Sequence, residues 1–350
     1  MNKFLTEIRE QPAALERTLN YYLNGEGAEK LKDINKIWKS GKYRRILFTG
    51  MGSSYFAPHT SSALLSSHGI YSSVINAGEL LHYHRKAIPG DALFVAISQS
   101  GESYEIVKLL ELQDPGLKCI GITNEEKSTL AGKSGIALLS RAGREDMTST
   151  KTYISTLMVL HIFSLAIAGS WDERNIAELK ELIIEVDRLV KTSESWIEGV
   201  SSHLGHPHFV QVIGRGPSYS SVKQGALMFM EAARNPAAGI YGGEFRHGPM
   251  EMVNEGFRAV LFAPGGATFD QALKMAKDIT GFGGKVLMIT NRREVISDSG
   301  ILPFEISCEN EYLFPVPAII PLQFIVNKWA TEKGNEPGDF TRGAKVTITE

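Results

Sequence analysis

Cysteine is nearly missing from the sequence: Cys119 and Cys308 are the only two in 350 residues. They stand far apart, each in or beside a strand-like apolar segment. A disulfide or zinc framework therefore has no basis, and both read as buried, reduced thiols. An excess of either charge is missing too. Lys and Arg number 37 against 39 Asp and Glu, which excludes the broad basic footprint of a nucleic-acid or anionic-membrane binder. The opening, MNKFLTEIREQP, has no apolar core before a cleavage site and does not read as a signal peptide. The most apolar stretch, Tyr153 to Ala168, is broken by Ser155, Thr156, His161 and Ser164. It falls short of the roughly 20 residues a bilayer span needs and is expected to be a buried helix. The expected address is the cytoplasm.

What remains is a globular composition, 43% apolar with 34 glycines, on a chain long enough for two domains. The first forty residues look helical, with Ile8, Leu15 and Leu19 on one face and Pro12 in the first turn of a second segment. From Arg45 the order changes. A strand over 45–49 runs into Gly50-Met51-Gly52-Ser53-Ser54 and a helix over 57–66. A second strand over 92–97 runs into Ser98-Gln99-Ser100-Gly101-Glu102-Ser103 and a helix over 105–112. A third strand covers 118–123. Strands alternating with helices across short Gly/Ser turns indicate a parallel sheet covered on both faces.

The second half repeats this order with strands over 209–213, 259–263 and 285–290, an offset of roughly 165 residues that signals duplication. The expected fold class is α/β: two tandem, doubly wound, flavodoxin-like parallel sheets behind an N-terminal helical segment. The divisions expected are 1–40 (helical segment), 41–195 (first domain) and 196–350 (second domain, with a C-terminal tail). The linker is expected in the charged helical stretch Asp172 to Glu198.

Ligands of such sheets bind at the carboxyl ends of the strands, where strand order reverses. Gly52-Ser53-Ser54 and the run Ser98 to Ser103 both lie at such ends. Each offers small hydroxyls and backbone N–H groups just before a helix, as a phosphate monoester requires. Ser and Gly there also serve as plain helix caps, but two such loops at successive strand ends favour phosphate. Gly50-Met51-Gly52 lacks the third glycine of a dinucleotide fingerprint, since Tyr55 stands in its place, so no nicotinamide or other cofactor is expected. Thr148-Ser149-Thr150-Lys151 either caps the long apolar helix or touches a sugar.

Gly242 to Pro249 sets Glu244, Arg246 and His247 on a Gly/Pro-bracketed segment expected to be an irregular loop. His247 suits proton transfer near neutral pH. Glu231 ends an apolar helix, either as a carboxylate of raised pKa that carries a proton or as a helix-terminal Glu facing solvent. His203, His206 and His208, and likewise His82 and His84, have no carboxylate at a ligand spacing, so no metal site is expected.

Taken together, the two serine loops, Glu7-Ile8-Arg9-Glu10-Gln11-Pro12, Ser149-Thr150-Lys151, Glu244 to Pro249 and the tail Ala344-Lys345-Val346-Thr347 resemble the sugar isomerase (SIS) superfamily. More narrowly, they resemble the isomerase half of glutamine:fructose-6-phosphate amidotransferases. The resemblance implies that Ser54, Ser98, Gln99, Ser100 and Ser103 cradle a phosphate, with Gly52, Ser53 and Ser149 beside them. It implies that Glu231 shuttles a proton between C1 and C2, that His247 of a neighbouring subunit assists ring opening, and that Lys345 forms a Schiff base. The partners implied are a small sugar phosphate and a second copy of the chain in a homodimer with a shared active site, with no nucleic acid and no membrane.

Two departures are legible. The glutaminase domain with its N-terminal cysteine is not in this sequence, which implies no ammonia release from glutamine. Met228 stands where the amidotransferase has a lysine. The function expected is an isomerase or deaminase of an amino-sugar phosphate, such as glucosamine 6-phosphate to fructose 6-phosphate and ammonia. The alternatives are a fructosamine-6-phosphate deglycase, suited by an apolar surface over Met228, Phe229 and Met230, and a non-catalytic sugar-phosphate-binding regulator.

Overall fold

The computed structural model describes residues 2–112 and 118–347. The chain divides into two compact units, Glu10–Glu181 with Thr341–Glu350, and Met1–Arg9 with Leu182–Phe340. The division between Glu181 and Leu182 falls inside the helix Glu173–Lys191, within the charged stretch Asp172 to Glu198 where the linker was expected, and the tail is grouped with the unit that holds the serine loops.

In the unit 10–181, five parallel strands stand in the order β2-β1-β3-β4-β5: β1 Arg45–Gly50, β2 Ser72–Asn76, β3 Ala92–Ile97, β4 Cys119–Thr123 and β5 Ile136–Leu139. β1, β3 and β4 are central, buried on both faces, and are almost continuously apolar, as central parallel strands must be. One face packs Leu47, Phe94 and Ala96 against Ile106, Leu109 and Leu130 from the helices Tyr104–Glu111 and Thr129–Lys133. The opposite face sets Phe48 edge-on to Phe163 of the helix Lys151–Ala168, ring centroids 6.0 Å apart. That helix is long and apolar enough to cross a membrane by length and composition, yet 94% of it is buried inside the protein, as a core helix would be. The helix Gln11–Leu23 closes the β5 edge, where the Thr18 hydroxyl and the Tyr22 hydroxyl donate to the carbonyls of Ser140 and Leu139. Capping an edge in this way removes groups that would otherwise template further pairing.

The other unit repeats the plan in the order β10-β9-β8-β6-β7: β6 Val210–Gly214, β7 Ala237–Tyr241, β8 Arg258–Phe262, β9 Lys285–Thr290 and β10 Ile301–Glu305. β2 begins at Ser72 and β7 at Ala237; β5 begins at Ile136 and β10 at Ile301. All four edge strands therefore keep the 165-residue offset, although none was expected from sequence. Ala259, Leu261, Val286 and Met288 pack with Met275 and Ile279 of the helix Phe269–Gly281. Helices Ser193–Leu204, Tyr219–Glu231 and Ile320–Glu332 supply the rest, with Trp329 donating to the Ser201 hydroxyl at 3.0 Å and packing on Phe229. Ile8 belongs here, on the helix Lys3–Arg9, whereas Leu15 and Leu19 are core residues of the other unit. Ile8 thus shares no single helical face with them.

Cys119 and Cys308 are not joined in a disulfide. Cys119 is buried in β4, and burial pushes its thiol up to about 12. Cys308 is only half-buried, against expectation, because it lies past the end of β10.

Candidate active site

β1 and β3 are neighbours whose connections leave in opposite directions, β1 also pairing with β2 and β3 with β4. Their carboxyl ends form the switch-point crevice of the sheet, and both serine loops start there. Gly50 closes β1 at a point where a Cβ would lie 2.5 Å from the Ser54 carbonyl oxygen. Gly52, at φ +50°, then turns the chain into the short helix Ser53–Phe56. Ser53 and Ser54 are half-buried.

The second loop is built by its own hydroxyls. Ser98 Oγ accepts from the Gly101 N–H at 3.1 Å and lies 3.0 Å from Ser103 Oγ. Ser100 Oγ accepts from the Glu102 N–H at 3.2 Å. Ser98 and Ser100 thus each commit one lone pair to a backbone N–H of the loop. The Ser98–Ser103 pair needs only one of its two protons for itself, and the Ser100 proton is not used in that bond. The loop is thus biased toward donating hydrogen bonds outward, which is what an anion needs. The first-turn amides of the helix Tyr104–Glu111 that follow Tyr104 add the positive end of the helix dipole. Thr123 Oγ1 and the Asn124 N–H both donate to the Gln99 carbonyl, at 3.1 and 3.0 Å, and pin the loop to the end of β4.

Glu102 sits within this donor array yet does not oppose it. Its carboxylate accepts from the Thr129 N–H at 2.6 Å and the Thr129 hydroxyl at 2.8 Å, capping the next helix. Sequence reasoning missed this pairing.

The C-terminal tail reaches the same loop. The Tyr104 N–H, first in its helix, donates to the Thr347 carbonyl at 3.1 Å. Lys345 Nζ donates to Glu145 Oε2 at 2.7 Å and to the Met147 carbonyl at 2.5 Å. Glu145, also missed from sequence, has a fully buried side chain. Burial alone would push its carboxyl up, but the Lys345 ammonium and the Thr152 and Thr150 donors outweigh this and hold it below the usual carboxylate range. Ser149 is half-buried on the turn between Met147 and the long helix. Lys151 is buried and paired with Glu10, a structural role.

Gly52, Ser53, Ser54, Ser98, Gln99, Ser100, Ser103, Ser149 and Lys345 therefore share one unit, whereas Glu231 and His247 belong to the other. Glu231 is the last residue of the helix Tyr219–Glu231 and is half-buried. Met228 and Phe229 just before it are fully buried, and only Met230 is exposed. The expected apolar surface over Met228, Phe229 and Met230 is thus not there, because helical geometry turns the first two into the core. The expected irregular loop at 242–249 is also corrected. Gly242–Arg246 is a short helix, anchored by the buried Phe245, and Pro249–Met252 is a 3-10 turn. Arg246 pairs with Asp278 at 2.7 Å, and His247 is exposed where the short helix ends. The histidines after Val200 have separate partners: His203 meets the Val286 carbonyl at 3.1 Å, and His206 pairs with Glu332 at 3.3 Å.

Comparison with known proteins agrees with this architecture. The SIS domain profile matches residues 41–166 and 203–327. A glutamine–fructose-6-phosphate aminotransferase (isomerizing) of Pyrococcus horikoshii is 31% identical over 99% of this chain and 57% of that protein. The chain thus spans a little over half the length of the curated relatives it matches. Among solved structures, the C-terminal domain of glucosamine-fructose-6-phosphate aminotransferase from Francisella tularensis superposes with a TM-score of 0.86 at 26% identity, covering 97% of this chain and 98% of that one. A glucosamine-6-phosphate deaminase from Thermotoga maritima shares the fold, with a TM-score of 0.78 at 22% identity over 99% of this chain and all of that one. The two matched segments coincide with the two sheets, and the chain belongs to the SIS domain family, with two repeats.

Proposed function

We propose that this chain is a phosphosugar isomerase or deaminase whose substrate is an amino-sugar phosphate. An example is the conversion of glucosamine 6-phosphate and water to fructose 6-phosphate and ammonia. The observation that carries the reading is the Ser98–Ser103 loop, whose oxygens are used internally as acceptors while a lysine of the tail lies in the same unit.

In this reading the phosphate is held by Ser54, Ser98, Gln99, Ser100 and Ser103, which fixes one end of the sugar. His247, from a second copy of the chain in a homodimer, assists ring opening. Glu231 carries the proton between C1 and C2. Lys345 condenses with the open-chain carbonyl, losing water to form an imine, and so must first give up the proton it holds against Glu145. The relatives named as aminotransferases and a deaminase support amino-sugar chemistry, and no nucleic acid, membrane or cofactor enters the scheme.

The test is a panel of glucosamine 6-phosphate, fructose 6-phosphate with and without ammonia, and fructosamine 6-phosphates, with products read by mass spectrometry against a Glu231→Gln control. Ammonia or isomer formation that disappears in the control is the expected result. Amino-acid release from the conjugates points to a deglycase. No turnover together with ligand-induced thermal stabilisation refutes the enzyme reading in favour of a sugar-phosphate sensor.

A further inference from the structure

The Glu145 carboxylate divides its two oxygens between two tasks. Oε1 accepts from the Thr150 N–H at 2.9 Å, the Thr150 hydroxyl at 3.2 Å and the Thr152 N–H at 3.1 Å, which caps the helix Lys151–Ala168. Oε2 accepts from the Thr152 hydroxyl at 2.5 Å and from Lys345 Nζ at 2.7 Å. A cap needs only the first set. The second oxygen faces a lysine 200 residues away, on a tail that also bonds to the unit from Lys345 Nζ to the Met147 carbonyl at 2.5 Å and from the Tyr104 N–H to the Thr347 carbonyl at 3.1 Å.

The carboxylate is wholly buried and Lys345 is largely so, with 19% of its side chain exposed. A buried ion pair of this kind holds its two segments together firmly, because either charge left alone in the interior is heavily penalised. Arg342, Gly343 and Ala344, just before the lysine, are by contrast exposed. The tail is therefore held at the Lys345 side chain and at Thr347, with an open stretch leading in.

We propose that Glu145 is a positioning residue that latches the C-terminal tail onto the serine-loop unit through Lys345. One buried carboxylate thus sets the register of both Ser149 and the reactive amine. The latch stands on geometry alone; its link to catalysis rests on the reading of Lys345 as the imine-forming residue. Glu145→Gln separates the two tasks. The amide oxygen still caps the helix, while the amide NH2 replaces Oε2 and presents donors to an ammonium that needs an acceptor.

The experiment follows tail opening by trypsin cleavage after Arg342 and by hydrogen exchange of the Tyr104 amide, in the whole chain without ligand. Cleavage and exchange are expected to speed up at least about tenfold in Glu145→Gln and in Lys345→Met, as loss of a buried partner predicts, with the double variant no faster than either single. In the same Glu145→Gln protein, borohydride trapping of a glucosamine 6-phosphate imine on Lys345 is expected to fall at least about tenfold, while affinity for inorganic phosphate stays within about twofold. Unchanged cleavage in Glu145→Gln, or single effects that multiply in the double variant, overturns the latch. If Glu145→Gln does not fold, Lys345→Met decides alone, and unchanged Tyr104 exchange in it overturns the proposal. Absence of any trapped imine in the unaltered protein would refute the role of Lys345, not the latch, because the protease cycle needs no substrate.

Discussion

Replacing Gly101 by alanine probes the serine loop at its tightest point. Gly101 sits at φ +67°, and a Cβ there would lie 2.1 Å from Ser128 Oγ, 2.4 Å from Ser128 Cβ and 3.1 Å from Thr123 Oγ1. The left-handed backbone alone costs an alanine about 1–2 kcal/mol. Ser128 cannot swing away freely, since its hydroxyl donates to the Glu125 carbonyl at 2.7 Å and accepts from the Ala131 N–H at 3.3 Å. Overpacking adds about 1–3 kcal/mol, so a loss of about 2–5 kcal/mol is expected. Gly132 is the internal control. It lies in the helix Thr129–Lys133, and a Cβ added there would meet nothing within 4 Å, so Gly132→Ala should stabilise by about 0.5–1 kcal/mol. Urea unfolding of both variants gives the comparison, and phosphate affinity should fall only in Gly101→Ala. A Gly101→Ala protein within about 0.5 kcal/mol of the parent would refute the packing argument.

His161, in the long buried helix, has no hydrogen-bond partner for either ring nitrogen among the described residues, and burial pushes it down to about 3. Between pH 6.5 and 3 the unfolded chain therefore takes up a proton that the folded one refuses, so stability falls as pH falls, by about 1.4 kcal/mol per pH unit from this group. His161→Leu should remove that part of the slope, and an unchanged slope in denaturant titrations at pH 4–6 would count against it. Ser100→Ala should weaken phosphate binding about 10- to 100-fold, the worth of a hydroxyl donated to a charged acceptor, as read by calorimetry. In thiol titration of the folded protein Cys308 should react and Cys119 should not, the latter appearing only after denaturation. Mixing Glu231→Ala with His247→Ala chains should restore some activity if the two residues serve one site across a dimer, and exchange without restoration would contradict that arrangement.

Central strands were legible because β3 and β9 are uninterrupted apolar runs ended by Gly/Ser or Asn/Arg turns, and their limits match the expected ones. Edge strands were not. Ser72–Asn76 is half-buried and carries two serines, and Ile301–Glu305 contains Pro303, tolerated because an edge strand pairs on one side only. The 165-residue offset carries β2 onto β7 and β5 onto β10, but with neither member of either pair recognised it had no anchor. The serine loops were legible for a local reason, being small hydroxyl residues between a strand and a helix. Glu102 and Glu145 were not, because their partners Thr129 and Lys345 are distant in sequence and only the fold joins them. The apolar surface expected over Met228, Phe229 and Met230 failed for the converse reason, as a run of three apolar residues on a helix does not face one way.

If the crevice above β1 and β3 recognises the phosphate of a sugar phosphate, calorimetric titration with glucosamine 6-phosphate and with glucosamine, under the same conditions, should separate the two. The phosphate ester is expected to bind at least about 100-fold more tightly, and Ser98→Ala with Ser103→Ala to erase most of the difference. Equal affinity for the two sugars, or a preference untouched by the serine substitutions, would contradict it.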